Sequence, residues 1–315
     1  MATFETSLKS RLIYVFAIPD EWHKDCLKVG ETTLEEDDGN FPLPNSEVLN
    51  KAACDRIDQY TKTAGIAYNL LHTEMTVFFK GGTISSFNDK QVHSVLERSG
   101  VKKKTFDTVK GANEWFCCDL ETVKKAIHAV KNGRNSLNAS DISYTQTPII
   151  FRPEQQAAID KTKKQFKKGA QMLWNAKMRF GKTLCALRVA RDLEMRRTII
   201  LTHRPVVDES WFEDFGKIFY DRTDYHYGSR TKGEDFTSLE RLAKKGDRYV
   251  YFASMQDMRG AQLVGGKFDK NNEVFSTDWD FLIVDEAHEG TRTELGESVI
   301  CLLYTSDAAD ERSSV

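Results

Sequence analysis

No apolar run in this 315-residue chain approaches the length of a membrane span, and the opening Met1-Ala2-Thr3-Phe4-Glu5 lacks the basic and apolar stretches of a secretory signal. The six cysteines (Cys26, Cys54, Cys117, Cys118, Cys185 and Cys301) form no CxxC pair and no metal-ligand spacing. That excludes a disulfide framework or a zinc ribbon and suits a reduced compartment. Charge of one sign is also missing. A net charge of −2 provides no global field for a polyanion, so any grip on nucleic acid has to come from local patches. These absences predict a cytoplasmic protein without membrane attachment.

What is present supports a packed core. Hydrophobic residues make up 40% of the chain and charged residues 29%, and the length suits two domains better than one. Residues 12 to about 130 read as a small α+β unit. Leu12–Phe16 is an expected strand with Leu27–Gly30 as its hairpin partner, and Glu35–Asn40 is an acidic, turn-rich insertion. Asn88 is placed to cap a helix through Val92, Val95 and Leu96. Asp119 is placed to cap another, with Val123, Ala126, Ile127 and Val130 on one face and Gly133 at its end. The Asn/Ser/Thr/Gly-rich stretch from Asn132 to Thr147, ending at Pro148, reads as a linker.

Beyond it, strand and helix alternate. Met172–Trp174, Thr198–Thr202, Tyr249–Ala253 and Phe281–Val284 have the character of strands in a parallel sheet buried on both faces. Two motifs sit on this framework. Ala176-Lys177-Met178-Arg179-Phe180-Gly181-Lys182-Thr183 fits a phosphate-binding loop, followed by a helix over Leu184–Leu193. In such a loop the backbone N–H groups converge at the positive end of a helix. Gly181 allows the tight turn, Lys182 reaches the β- and γ-phosphates, and the Thr183 hydroxyl binds Mg²⁺. Asp285-Glu286-Ala287-His288 follows the last strand. Asp285 is expected to hold the Mg²⁺ shell and Glu286 to orient the attacking water. The two motifs in this order mark an ATP-driven machine better than either does alone.

Residues 150–300 resemble the first RecA-like domain of a superfamily-2 helicase, in the DEAH-containing group that includes restriction-enzyme translocation subunits. The resemblance implies that Gln155, in Arg152-Pro153-Glu154-Gln155, reads adenine. It also implies that His203 and Arg204, in Thr202-His203-Arg204-Pro205, contact the nucleic-acid backbone, as do Ser254 and Gln256, in Ser254-Met255-Gln256, and that His288 couples hydrolysis to strand movement. The family's third motif, second RecA-like domain and arginine finger do not follow in the sequence, which predicts ATP binding with poor hydrolysis. Lys161, Lys163, Lys164, Lys167 and Lys168 share a helix with Ile159 and Phe166 and read as its solvated face rather than a DNA patch.

At the other end, Ile13-Tyr14-Val15 followed by Lys28-Val29-Gly30 resembles the two strands that name the GIY-YIG nucleases, in the branch whose second strand reads Lys-Ile-Gly. Arg56 falls where that family carries an arginine, and Val92-His93 with Glu114-Trp115-Phe116 resembles the branch's remaining signature. The resemblance implies that Tyr14 helps activate water and that Arg56 stabilises the transition state. It also implies that Asp89, standing where the family generally has glutamate, holds a divalent metal. Trp115 and Phe116 are expected in the core, and Lys102-Lys103-Lys104 in a loop beside these residues.

The last fifteen residues, Cys301–Val315, resemble the translation of a transposase sequencing adapter and are read as a non-native tail, with the natural chain continuing past Ile300. The expectation is therefore an α/β protein: a small α+β GIY-YIG-like domain (1–131), a linker (132–148), a truncated P-loop RecA-like parallel-sheet domain (149–300) and the tail (301–315). Its expected function is an ATP- and Mg²⁺-dependent helicase or translocase fragment with an endonuclease domain. It would act on double-stranded DNA, with RNA as an alternative, in restriction or phage defence beside restriction-system subunits. The alternative is a non-cleaving GIY-YIG fold that recruits a helicase ATPase to nucleic acid.

Overall fold

The computed structural model describes residues 10–34, 41–106, 114–141, 149–177, 179–203, 205–259, 261 and 271–285. The acidic insertion Glu35–Asn40, most of the Asp285–His288 motif and the tail from Cys301 lie outside them. Among the described residues no helix is long and apolar enough to cross a membrane. The chain divides into two compact units, Met1–Leu137 and Asn138–Val315.

The first unit is built on β1 (Arg11–Ala17), β2 (Leu27–Thr33), α1 (Glu47–Thr61), β3 (Asn69–Met75), β4 (Val77–Lys80), β5 (Thr83–Ser86), α2 (Asp89–Arg98), β6 (Trp115–Phe116) and α3 (Leu120–Lys131). Its main sheet runs β3-β1-β2-β6, with each neighbouring pair antiparallel. β1 is central and buried along nearly its whole length, as the run Leu-Ile-Tyr-Val-Phe requires. Leu12, Tyr14 and Phe16 on one of its faces pack with Leu49, Ala53 and Ile57 of α1 and with Trp115. The helices start where the caps predict. Asn88 accepts from the Gln91 amide at 3.0 Å while the Gln91 side chain accepts from the Asn88 amide at 3.0 Å, and Asp119 accepts from the Thr122 amide at 2.7 Å. Trp115 and Phe116 are buried.

The second unit contains α4 (Pro153–Gln165), α5 (Lys182–Asp192), β7 (Arg197–Thr202), a 3-10 turn (Pro205–Val207), α6 (Asp208–Phe219), β8 (Tyr225–Gly228), α7 (Phe236–Ala243), β9 (Arg248–Ser254), α8 (Met255–Arg259), α9 (Asn272–Phe275) and β10 (Phe281–Val284). Its sheet runs β10-β7-β9-β8 and is parallel throughout. Side chains alternate across it, as a strand period of two demands. Ile199, Leu201, Tyr249 and Ala253 pack with Leu239, Met255, Val274 and Trp279 on one face. Ile200, Val250 and Phe252 pack with Leu187, Trp211, Phe215 and Phe219 on the other. Both faces are thus covered by helices, the arrangement of a doubly wound α/β layer.

One expected strand is corrected. Met172–Trp174 joins no ladder, since residues 171–177 carry no strand pairing. The Trp174 indole N–H donates to Thr162 Oγ1 at 2.8 Å, anchoring this segment on α4, and Leu173 is 84% exposed. Three apolar residues made a hydrophobic run, but Trp174 spends it on a helix. The lysines of α4 are solvated at Lys161 and Lys164, as are Lys167 and Lys168 in the turn after it, while Ile159 is fully buried.

Candidate functional sites

The phosphate loop ends on Gly181, whose φ of +87° is left-handed, and α5 begins at Lys182. A glycine N-cap has no side chain to satisfy the first-turn amides, so they face outward at the positive end of the helix. This donor set suits a phosphate group, and the hydroxyl of Thr183 beside it is a hard-oxygen ligand suited to Mg²⁺.

Gln155 is clamped to the same loop. Its Oε1 accepts from the Arg152 amide at 2.8 Å, and its Nε2 donates to the Phe180 carbonyl at 2.7 Å. Arg152 Nη2 donates to that carbonyl as well, at 2.9 Å. A Cβ built on Gly181 would stand 2.7 Å from Gln155 Nε2, so a side chain there would have to push the Gln155 amide off the Phe180 carbonyl. Pro153 at the start of α4 fixes φ for the helix and leaves Gln155, two residues on in the same first turn, facing the loop.

Because the sheet is parallel, the carboxyl ends of its strands share one edge, where ligands of such folds bind. Thr202 of β7 lies opposite Ser254 of β9, and the Asp285 amide donates to the Leu201 carbonyl at 2.9 Å. The structure therefore brings Asp285, His203 and the Ser254 segment to neighbouring positions. Ser254 is fully buried and its Oγ donates to Asp257 Oδ2 at 2.7 Å, whereas Gln256 is exposed. His203 Nδ1 is buried without a hydrogen-bond partner. Arg204, Glu286 and His288 lie outside the described residues.

In the first unit, Tyr14 sits opposite Gly30 across the β1–β2 pair and is buried. Arg56 and Tyr60 project from one face of α1, four residues apart. Burial raises the Tyr14 phenol above its ordinary value, while a hydrogen bond with Tyr60 and the charge of Arg56 pull it back. Burial also raises the Tyr60 phenol, and its contact with Tyr14 raises it further. The contact thus lowers the Tyr14 phenol and raises that of Tyr60. The Lys28 ammonium lies 4.6 Å from the centre of the Tyr60 ring and 3.3 Å from Glu114 Oε2.

Asp89 opens α2 beside a cleft of about 340 Å³ lined by Asp89, His93, Glu97, Lys103 and Glu114. Glu114 is common to this cleft and to the tyrosine cluster. The His93 ring is held by a 2.8 Å bond between Nε2 and the Val29 carbonyl. Among the described residues no three His, Cys, Asp or Glu side chains converge as a metal-binding group.

The sequence reading named Lys28 and Glu114 in motifs but gave them no role, and it did not single out Tyr60 as a member of this cluster. Tyr60 carried a usable signal, its position one helical turn beyond Arg56. The pairing of Lys28 with Glu114 required the β2–β6 register, in which Lys28 faces Trp115.

Comparison with known proteins adds two findings. Residues 148–306 match the family model described as "Type III restriction enzyme, res subunit". A protein of Mycoplasma pneumoniae (strain ATCC 29342 / M129 / Subtype 1), described as "Putative type II restriction enzyme and methyltransferase RM.MpnORF110P C-terminus", is 30% identical over 147 residues. That alignment covers 44% of this chain and 20% of the relative, so the chain spans about a fifth of the relative's length.

Proposed function

The chain belongs to the family of type III restriction enzyme res subunits, and on that premise we propose that its second unit is the nucleotide-binding half of an ATP-dependent DNA translocase of restriction type. The observation that carries this reading is the helix-terminal loop Gly181-Lys182-Thr183 in a unit whose parallel sheet ends on Asp285. Lys182 and the first-turn amides of α5 would hold the triphosphate, Thr183 and Asp285 the Mg²⁺, and Gln155 the adenine side of the loop. When bound, Mg²⁺ would neutralise charge on the β- and γ-phosphates. Glu286 is proposed to orient water and His288 to couple hydrolysis to movement. His203, Arg204, Ser254 and Gln256 are proposed to line the DNA track.

For the first unit we propose a GIY-YIG-type endonuclease centre. Support comes from Tyr14 buried in β1, with Arg56 and a second phenol, Tyr60, supplied by α1. Tyr14 would accept the water's proton, Arg56 would stabilise the pentavalent phosphate, and Asp89 would hold the metal. A second reading keeps the fold as a DNA-binding module without cleavage. It is favoured by the shorter acid at Asp89, one methylene short of the family's glutamate.

Metal-dependent nicking of supercoiled plasmid by the full chain separates the two. The nuclease reading expects nicking that is lost in Tyr14→Phe and Arg56→Ala. Nicking that survives both substitutions overturns this placement of the centre, whereas nicking that never appears with Mg²⁺ or Mn²⁺ supports the binding module instead.

A further inference from the structure

The carboxyl edge of the parallel sheet carries a loop that the motif reading did not use. β8 ends at Gly228, and Ser229-Arg230-Thr231-Lys232-Gly233 follows it. A buried carboxylate organises this loop. Asp208, the first residue of α6, accepts from Tyr227 Oη at 2.7 Å, Ser229 Oγ at 2.6 Å and Thr231 Oγ1 at 2.7 Å. The loop closes on itself through the Ser229 amide to the Lys232 carbonyl at 2.8 Å and the Lys232 amide to Ser229 Oγ at 2.8 Å. Gly233, at φ +64°, is obligatory, since a Cβ there would lie 2.0 Å from the Tyr227 carbonyl oxygen.

This bonding serves a short loop whose long charged side chains are placed in opposite ways. Both are paired with an acid and they differ in exposure: Lys232 is 20% exposed and pairs with Glu209 at 2.8 Å, held against the fold. Arg230 is 82% exposed and reaches Asp257 at 3.1 Å. Asp257 also receives the Ser254 hydroxyl and returns its amide to Ser254 Oγ at 3.1 Å, which fixes the start of α8. The guanidinium is therefore tied to the turn that presents Gln256, on the edge that β7 reaches with His203. A planar fork of N–H donors on a stiff loop matches the oxygens of a phosphodiester better than a flexible ammonium does.

We propose that Arg230 contacts a phosphate of the nucleic-acid backbone, presented by a loop that Asp208 holds rigid, and so extends the strand-binding edge beyond His203 and Gln256 to β8. This rests on the reading of the second unit as a nucleic-acid motor.

The test is fluorescence anisotropy with the full chain and two labelled probes of about 20 nucleotides, a poly-dT strand and a duplex, across about 50–200 mM KCl. Arg230→Ala should weaken binding about fivefold and lower the slope of log affinity against log salt by about 0.7–0.9, the signature of one lost phosphate contact. Arg230→Lys should recover the salt slope but not the full affinity. Lys245→Ala, an exposed lysine before β9 at the opposite edge, should match the wild type. If Arg230→Ala also matches the wild type in affinity and slope, the loop assignment is wrong while the motor reading stands. If the wild type binds neither probe, the motor reading falls and the loop assignment with it.

Discussion

Tyr14 and Gly30 are a matched pair: across β1 and β2 the phenol ring lies where a side chain at residue 30 would be, 2.7 Å from the place of its Cβ. The close approach lets the ring lie flat on β2 with its hydroxyl directed to Tyr60. Gly30→Ala should therefore displace the ring and cost about 1–3 kcal/mol through overpacking. Urea unfolding of the first unit measures the cost, and any plasmid nicking should fall with it. An unchanged midpoint would mean that the ring has another resting place.

A second pair, Gly181 and Gln155, couples the phosphate loop to α4. Gly181→Ala meets both a left-handed φ and the Gln155 amide 2.7 Å away. The backbone part alone costs about 1–2 kcal/mol. Gln155→Ala removes the clash and leaves the backbone strain. MgATP titrations of the two single variants and the double should thus be non-additive, the double losing less affinity than the two singles combined. Additive losses would show that the two residues act on nucleotide independently.

Arg222 grips two acids at once, Asp224 through Nε and Nη2, both at 2.8 Å, and Glu194 through Nη1 at 2.8 Å and Nη2 at 3.0 Å. Its hydrogen bonds hold the Asp224 carboxyl down at about 2, and those to Glu194 lower that carboxyl also. A depressed acid stabilises the fold above its unfolded pKa of about 3.9 and loses that contribution as pH falls through the folded value. Arg222→Ala should accordingly flatten the acid limb of stability between about pH 4 and pH 2. The flattening is partial because Arg248 still pairs with Asp224. Unfolding curves in this window with an unaltered slope would contradict the assignment.

The Tyr14–Tyr60 contact has its own sign. Tyr60 lowers the Tyr14 phenol, so Tyr60→Phe should raise it. If Tyr14 is the general base of a nicking reaction, the ascending limb of the pH–rate profile, along which Tyr14 loses its proton, moves to higher pH in Tyr60→Phe. A profile that loses amplitude without shifting would place Tyr60 in substrate binding instead.

Much of the fold was legible because its signals are local. Asn88 and Asp119 announce their helices by side-chain chemistry within three residues, and the runs at Thr198–Thr202, Tyr249–Ala253 and Phe281–Val284 are apolar because both sheet faces are covered. β3 was not foreseen because Asn69-Leu70-Leu71-His72-Thr73-Glu74-Met75 shows no alternation, its polar residues being bonded to Asn45, Asn50 and Lys131. β8 was missed because four residues, two of them tyrosines and one a histidine paired with Asp247, carry too little pattern. Trp174 misled in the opposite sense, since a large apolar side chain fits a strand or a helix contact equally well. In the candidate sites, the motif residues could be named from spacing. The contact of Tyr60 with Tyr14 and the place of Arg230 beside Asp257 could not, because they arise where elements distant in sequence meet.

The central claim is that Gly181-Lys182-Thr183 forms a nucleotide site on the second unit. The most direct measurement is calorimetric titration of the full chain with MgATP, comparing wild type with Lys182→Ala. Binding is the direct readout of this loop, because it does not depend on residues that act in hydrolysis. The account predicts saturable one-to-one binding by the wild type and none by Lys182→Ala at the same concentrations, with both proteins unfolding at the same temperature. Equal binding by the two would contradict the placement of the phosphate loop and, with it, the reading of this chain as part of an ATP-driven motor.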